Sequence, residues 1–467
     1  MTELLSRILF FVVLCTQAAC SDNDNDNDGP GIIDEQPSYS AEITRTQYGI
    51  PHINADDWGS LGYGHGYAFA QDRFCMLMHE IIRAAGQSSE LLGEELGDVN
   101  TDLLFSLVNN NEDGQLEEQY LSQQPEEVLE LVEGFAAGVS RYLDETPVNE
   151  LPDTDPACRG EDFVRPIAAI DLWKYFRLIQ LQGSTDQGII KDAILSVTGP
   201  GESTAVSKRS PSTARKSKRS FVDASLGSNG IALGRDATQN GRGMLLGNPH
   251  QPWFGVGSWY QVHLTIPGEY DSMGAALAGF PMIGIGFNKD LAWTQTVSLA
   301  SRFTLFELKL NPENPLEYMD DGEAKPITQE TISINVTRTD GSVDTIEHTF
   351  YRWEFGLIVN LESAAAGISP AVATTFAGWP TAAGTVYAFR DANIDNLRGI
   401  DMWIKVAQSE NISELVDAYK LIGNPLFHTL AADRNGDMFY GEISAIPNVT
   451  QEKLDDSSAA SMQQCYH

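Results

Sequence analysis

Basic residues are scarce in this chain. Its 467 residues include 30 Lys and Arg against 65 Asp and Glu, which gives a formal net charge of −35 at pH 7. A phosphate backbone would be repelled by such a surface, so the composition argues against a nucleic-acid partner. Hydrophobic residues make up 42% of the sequence. The chain can therefore bury a large core, and its length permits one to three domains.

The amino-terminal apolar run, residues 8–14, is too short to span a bilayer as a permanent helix. It follows Arg7 and is followed by small residues before Cys20, a pattern typical of an export signal. We predict a lipoprotein-like signal over residues 1–20, with Cys20 acylated as a membrane anchor. The alternative is ordinary cleavage and a free periplasmic protein. Both alternatives export the chain, and the Asp- and Asn-rich residues 21–36 are predicted to be a disordered tether.

Cysteine is also scarce, with five residues in the chain. Two of them lie within the predicted signal, which leaves Cys75, Cys158 and Cys465. An odd number allows at most one intrachain disulfide, and none of the spacings indicates a metal site. Because Cys75 lies in the apolar stretch 74–78, we expect it to be a buried free thiol.

The chain divides into three further segments by pattern. Residues 37–199 are helix-rich: Pro125 and the acids after it start a helix whose apolar residues recur at helical spacing. A second helix is predicted over 170–181, with its aromatic residues in the core. Residues 200–227 are basic and rich in Ser, which predicts a flexible spacer exposed to excision. Residues 228–467 favour strands, with candidates at 260–266, 282–287, 331–336, 345–352 and 385–390.

The most informative feature is Ser228. It opens an alternating run that predicts a strand, and Asn240-Gly241 is a hairpin turn signal. The returning strand would bring His250 back to the start of the first one. A Ser at the head of a strand, behind a removable segment, is where cleavage of the Gly227–Ser228 bond would create an amino-terminal nucleophile.

The chain resembles the penicillin acylase family of N-terminal-nucleophile hydrolases, in particular its branch of acyl-homoserine lactone and aculeacin A acylases. Each matching stretch is weak alone, and their order and spacing carry the resemblance. The stretches are 45–53, 64–73, 86–90, 248–253, 267–268, 279–281, 286–294 and 430–436. The resemblance implies an α+β fold, a four-layer αββα sandwich. It also implies that a C-terminal part is missing, because the family's second chain runs well past residue 467; a fragment is favoured over a truncated, inactive protein.

The resemblance also implies a mechanism. After autocatalytic cleavage, Ser228 is the nucleophile and its own α-amine, with a pKa of about 7.7–8, is the base. His250 orients them, and the backbone N–H of Val297 stabilises the oxyanion. The second oxyanion donor would lie beyond residue 467. The product would be an α/β heterodimer that uses no cofactor. No metal site is expected, because Ser and Thr stand in 301–307 where calcium-binding relatives have Asp.

The expected substrate is a small N-acylated molecule, with N-acyl-homoserine lactones favoured. Candidate pocket residues are Gln251, Trp253, Leu277, Phe280 and Trp403, although each residue type is more often part of a core. Relatives that take long acyl chains usually have an aromatic residue where Gln251 stands. Its amide predicts a preference for shorter or polar-substituted acyl groups. Penicillins, cephalosporins or lipopeptides are alternative substrates, and a catalytically silent exported lipoprotein that acts as a binding module is the alternative of another class.

Overall fold

The computed structural model describes residues 38–109, 114–152, 156–186, 188–200, 227–360, 379 and 384–448. The predicted signal with Cys20, the tether, residues 201–226 of the spacer, and Cys465 lie outside the described residues. None of the described helices is long and apolar enough to cross a membrane.

Ten α-helices and seventeen β-strands make up the described structure. The helices are α1 Trp58–Ala84, α2 Ser88–Leu91, α3 Gly93–Leu96, α4 Val99–Val108, α5 Gln115–Gln123, α6 Glu126–Glu145, α7 Ala169–Leu181, α8 Gly188–Leu195, α9 Gly399–Gln408 and α10 Ile412–Ala418. The strands are β1 Ala41–Arg45, β2 Pro51–Ala55, β3 Gly227–Leu233, β4 Met244–His250, β5 Trp259–Ile266, β6 Tyr270–Leu277, β7 Ile285–Phe287, β8 Leu291–Val297, β9 Phe303–Asn311, β10 Asn314–Asp320, β11 Glu323–Pro326, β12 Thr328–Thr337, β13 Val343–Trp353, β14 Gly356–Val359, β15 Thr385–Asp391, β16 Phe427–Asp433 and β17 Met438–Glu442.

An eight-stranded sheet forms the centre of the molecule, in the order β1-β2-β5-β6-β7-β8-β16-β17. Its β2–β5 pair is parallel and joins His52 to His263, whereas its other pairs are antiparallel. Strands from before and after the Gly227–Ser228 bond therefore share one sheet. Cutting that bond would leave both pieces hydrogen-bonded to each other.

Helices α1 and α6 pack against each other at unusually short range. The cap of α1 is Asp57, whose carboxylate accepts a 2.6 Å hydrogen bond from the Ser60 N–H. A Cβ at Gly62 would lie 2.1 Å from the Leu131 carbonyl oxygen, and one at Gly66 would lie 2.1 Å from that of Phe135. The glycines of this stretch of the sequence therefore serve helix packing. The helix predicted after Pro125 is confirmed as α6, with its apolar residues buried.

A second, seven-stranded antiparallel sheet has the order β11-β10-β9-β15-β14-β13-β12. One face packs on α4 and α8 in a smaller apolar core. Four of the five predicted strands are confirmed within a few residues, as β5, β12, β13 and β15. The prediction for 282–287 was only partly right. The strand begins at Ile285. Met282 and Ile283 precede it in a loop and are fully buried there.

The fold is mixed α and β, as predicted. Side chains alternate between the two faces of the eight-stranded sheet along β8. Trp293 is in the main core on the face that the helices cover, and Thr294 contacts the β3–β4 hairpin on the other face. Within the described residues, helices thus cover one face of the eight-stranded sheet and the hairpin covers part of the other.

The expectation of a free thiol at Cys75 was wrong. Cys75 is bonded to Cys158, with the two Cα atoms 5.2 Å apart, and the bond ties α1 to the segment that leads into α7. Both cysteines are almost fully buried. The apolar surroundings of Cys75 were identified correctly, but the partner lies 83 residues away. A sequence neighbourhood carries no information about such a contact.

Candidate active site

The β3–β4 hairpin brings Ser228 and His250 together as predicted. Its register pairs Gly227 with His250 and Ser228 with Pro249. The Ser228 hydroxyl oxygen lies 2.6 Å from the Gly227 carbonyl oxygen and 3.4 Å from the His250 backbone nitrogen. The side chain of Ser228 is therefore next to the carbonyl group of the peptide bond that precedes it.

Two asparagines hold the His250 ring. The side-chain amide nitrogens of Asn248 and Asn229 lie 3.0 and 3.3 Å from its Nε2. Because amide nitrogens only donate, Nε2 accepts, and a neutral ring then carries its proton on Nδ1. A Cβ at Gly227 would lie 3.9 Å from that Nδ1, so the Nδ1 edge of the ring faces Gly227. Sequence analysis missed this role of the asparagines, although both stand in the matched stretches or beside Ser228.

The hairpin lies across β8 and β16 in a defined direction. A Cβ at Gly234 would lie 3.3 Å from the Gly436 carbonyl oxygen, and a Cβ at Gly230 would lie 2.9 Å from a methyl group of Leu430. Traced from Gly234 back to Gly230, strand β3 therefore runs along β16 toward the residue at which β16 begins. Continued two residues past Gly230 in this direction, the strand carries Ser228 toward the end of the sheet where β16 begins and β8 finishes.

The backbone N–H of Val297 is directed away from β16. Val297 is opposite Phe427 in the register. The following pair is Ser298 and Leu426, in which the Ser298 N–H donates a 2.9 Å hydrogen bond to the Leu426 carbonyl oxygen. Antiparallel pairs alternate, so Val297 is in a non-hydrogen-bonded pair and its N–H points to the other side. On that side, β7 pairs with β8 only as far as Trp293. In the described part of the sheet this N–H has no ladder partner.

An apolar cavity opens at the same end of the sheet. Its sheet-side wall consists of strand ends: Trp259 starts β5, Leu277 ends β6 and Phe427 starts β16. Val297 and Leu277 each pack against the cluster of Leu426 and Phe427. The helix-side wall comes from α7 and α9, with Trp173 and Phe176 from the first of them. A concave apolar site is the expected form of a pocket for a hydrophobic chain, and none of the residues that line this one belongs to the β3–β4 hairpin.

Known proteins are similar to this chain over most of its length. The profile of the penicillin amidase family matches residues 40–463. The chain is 39% identical over 428 residues to the acyl-homoserine lactone acylase PvdQ of Pseudomonas fluorescens (strain Pf0-1), covering 89% of this chain and 51% of that protein. It is 34% identical over 457 residues to the aculeacin-A acylase of Actinoplanes utahensis, covering 95% of this chain and 54% of that protein.

The chain belongs to the penicillin amidase family. It spans about half the length of the curated relatives it matches. Among solved structures, a thermostable penicillin G acylase from Alcaligenes faecalis matches 46% of this chain and 34% of that chain at 19% identity, with a TM-score of 0.36. That score is too low to add to the argument.

The cavity includes three of the five predicted pocket residues of this penicillin amidase family member. Leu277, Phe280 and Trp403 line it. Trp253 does not, since its side chain is 93% exposed. Gln251 is buried but is not part of the cavity wall, and its Oε1 has no hydrogen-bond partner among the described residues.

Two aromatic residues of α7 were assigned to the core and are also part of the cavity wall. Trp173 and Phe176 are buried, and both face the cavity. Their spacing along the helix could not separate the two roles, because a cavity wall is part of the same apolar face. Trp259 and Gln295 were not predicted either, and both lie in strands whose burial is set by distant helices.

The stretch where family members bind calcium holds a buried guanidinium in this chain. The Arg302 side chain donates hydrogen bonds to the carbonyl oxygens of Ser298, Ala300 and Pro425. A fixed positive charge among these oxygens does not fit a divalent cation. Among the described residues, no group of three His, Cys, Asp or Glu side chains could hold a metal ion.

Proposed function

We propose that this protein is an exported amidohydrolase that removes the acyl group from N-acylated small molecules. The favoured substrates are N-acyl-homoserine lactones. The observation that carries the proposal is the 2.6 Å separation between the Ser228 hydroxyl oxygen and the Gly227 carbonyl oxygen, at the end of a hairpin that runs toward the end of the sheet where an apolar cavity opens. Support for the substrate class comes from the acylases that this chain resembles.

Maturation would begin at the Gly227–Ser228 bond. The Ser228 oxygen attacks the Gly227 carbonyl carbon, the C–N bond breaks, and the acyl group moves from nitrogen to oxygen as an ester. Water then hydrolyses the ester, which leaves a carboxylate on Gly227 and a free α-amine on Ser228. The two pieces would remain together as an α/β heterodimer, since their strands share one sheet.

Turnover would repeat the same chemistry on substrate. The neutral α-amine of Ser228 takes the proton of its hydroxyl, directly or through water, and the oxygen attacks the substrate's amide carbonyl. The unpaired N–H of Val297 would stabilise the resulting oxyanion, a contribution of about 2.7–4 kcal/mol for one donor. His250, held by its two asparagines, would orient the nucleophile. The C–N bond of the substrate then breaks, and the amine leaves with the proton that the α-amine had taken, so that the acyl group remains on Ser228 as an ester. Water hydrolyses this ester to release the carboxylic acid, and the cavity would hold the acyl chain.

The export proposal rests on the predicted signal and on the disulfide. Disulfides persist in oxidising compartments such as the bacterial periplasm. Cys75–Cys158 therefore favours a periplasmic protein, free or anchored through Cys20. Fractionation of the expressing bacterium with a periplasmic marker tests this, and a protein found only in the cytoplasm would contradict it.

The test of maturation is the intact mass of the purified protein. We expect two chains, the second beginning at Ser228. Ser228→Ala should remain one uncut chain, whereas Ser228→Cys keeps a nucleophile and should still be cut. Cleavage of Ser228→Ala at the same bond would contradict autoproteolysis. A wild-type protein that stays uncut would favour the silent binding module instead.

The test of substrate class is product release. Wild type should liberate homoserine lactone from N-acyl-homoserine lactones, and Ser228→Ala should not. The 34% identity to an aculeacin-A acylase makes lipopeptides the second candidate. Activity on lipopeptides or penicillins with none on lactones would transfer the assignment to that class.

A further inference from the structure

Two polar groups on the cavity wall have no hydrogen-bond partner among the described residues. One is the Oε1 atom of Gln295, whose side chain is 3% exposed, and the other is the indole N–H of Trp259. Gln295 lies in β8, two residues before Val297, on the side of the strand that faces the helices. Unpaired polar atoms are costly in an apolar site unless a ligand or water pairs with them.

The other polar side chains of the wall are already used by the fold. Arg177 donates to the carbonyl oxygens of Val108 and Ile394, at 2.8 and 3.1 Å. The amide nitrogen of Gln180 lies 3.0 Å from the Asn396 carbonyl. The N–H groups of both side chains therefore donate to backbone carbonyl oxygens of neighbouring segments, and these hydrogen bonds hold α7 in place. Among the described residues that line the cavity, Gln295 and Trp259 are the ones that carry a fully buried side-chain polar atom with no hydrogen-bond partner.

The Gln295 amide is held in place by two hydroxyl groups. Its Nε2 atom lies 2.9 Å from the Tyr419 hydroxyl oxygen and 3.4 Å from that of Thr429. Because hydroxyls donate and accept, the amide can bind them in either orientation. In either orientation one atom of the amide has no hydroxyl partner: the oxygen, which can accept a hydrogen bond, or the nitrogen, which can donate one. A ligand hydroxyl can pair with either, whereas a methylene group can pair with neither.

We propose that this cavity selects acyl chains that carry a hydroxyl group, and that Gln295 recognises this group. Trp259 supplies a further donor for an oxygen on the chain. The proposal rests on the proposed function, because it takes the cavity as the acyl site. It transfers the polar preference that the sequence suggested for Gln251 to a residue that lies on the cavity wall.

Binding of free fatty acids tests the proposal without requiring hydrolysis. The probes are dodecanoate and the series of its hydroxylated positional isomers, titrated by calorimetry into the purified protein. We expect one isomer to bind about three- to tenfold more tightly than dodecanoate, the gain of one net hydrogen bond. Gln295→Leu should abolish this preference and leave the affinity for dodecanoate unchanged or higher.

Gln182→Leu is the matched control. Gln182 is also buried, at 6% exposure, with an unpaired Oε1, but it does not line the cavity. It should retain the hydroxyl preference. Trp259→Phe keeps the aromatic body, removes only the donor, and should reduce the preference even if Gln295→Leu does not fold. Thermal melting of each variant verifies folding.

The outcomes separate the two proposals. Equal affinity for dodecanoate and every hydroxylated isomer, in wild type, overturns the hydroxyl proposal and leaves the acyl site intact. A preference that survives in Gln295→Leu assigns it to another residue and overturns the role of Gln295. No binding of any of these acids overturns the assignment of this cavity as the acyl site, and with it the hydroxyl proposal, whereas release of homoserine lactone decides the proposed function.

Discussion

Replacing Gly247 by Ala should displace the hairpin that carries Ser228 and His250. A Cβ at this position would lie 2.4 Å from the Thr294 Oγ1 atom and 2.8 Å from its Cβ, whereas ordinary contacts begin at 3.4 Å. Thr294 is β-branched and fixed in the centre of β8, so it cannot turn away freely. The hairpin must therefore lift by about 1 Å, the difference between 3.4 and 2.4 Å.

A displacement of this size matters more for chemistry than for folding. Overpacking costs about 1–3 kcal/mol of the free energy of unfolding. A 1 Å misplacement of reacting groups can cost about 100-fold in rate. We therefore expect Gly247→Ala to remain folded, to be cut slowly at Gly227–Ser228, and to lose about 10- to 100-fold in kcat/KM. Intact mass over time follows the cleavage, and release of homoserine lactone follows turnover.

Two further variants make the test specific. Gly234→Ala is the control within the same hairpin, since its Cβ would lie 3.3 Å from the Gly436 carbonyl oxygen and 3.5 Å from the Met438 Cγ atom, at the other end of β3 from Ser228. Adding Thr294→Ala to Gly247→Ala removes the 2.4 Å contact and should restore part of the rate. If Gly247→Ala matures and turns over at the wild-type rate, the hairpin is not positioned by this contact.

Two other predictions concern stability. Removing the disulfide with Cys75→Ala and Cys158→Ala should lower the free energy of unfolding by about 4.5 kcal/mol, from the chain-entropy relation applied to its 83-residue separation; urea unfolding measures it, and an unchanged midpoint would contradict it. Burial lowers the pKa of His65 to about 4, against the opposing effect of its bond to the Pro281 carbonyl. His65 therefore binds a proton more readily in the unfolded chain than in the folded one. Its effect on the free energy of unfolding is constant above about pH 6.5, and the protein loses up to about 3 kcal/mol of stability as the pH falls toward 4. His65→Asn should show a shallower loss of stability over that range, and an equal slope in both proteins would refute the assignment.

The features that could be predicted from the sequence are local. The alternation after Ser228 predicts β3, and Asn240-Gly241 lies in the connection of residues 234–243 that returns the chain to β4, so both signals act within a short stretch of sequence. The same holds for α6, whose start signal and apolar spacing lie within one helix. The pairing of Ser228 with the His250 region therefore followed from the sequence, before any long-range contact was known.

The cavity could not be predicted in the same way. Its walls combine α7, the start of β5, the end of β6, β8 and α9, which come together only through long-range packing. Gln295 illustrates the problem, because in sequence it is one polar residue of a strand. Its functional signal is an unpaired atom, and that appears only once the contacts of the surrounding residues are known. The apolar residues expected around the nucleophile included Leu277, Phe280 and Trp403, and they also included Trp253, which is exposed.

The position of the disulfide has a consequence for the mature protein. Cys75 and Cys158 both precede the Gly227–Ser228 bond, so the disulfide stabilises the first piece and does not bridge the cut. The two pieces would be joined by the parallel β2–β5 pair and by the main core, in which α1 packs on β5. These contacts are non-covalent. Denaturant should therefore separate the pieces of the cut protein even without a reductant, while native chromatography should keep them together, and the integrity of the Ser228 site would depend on the first piece staying in place.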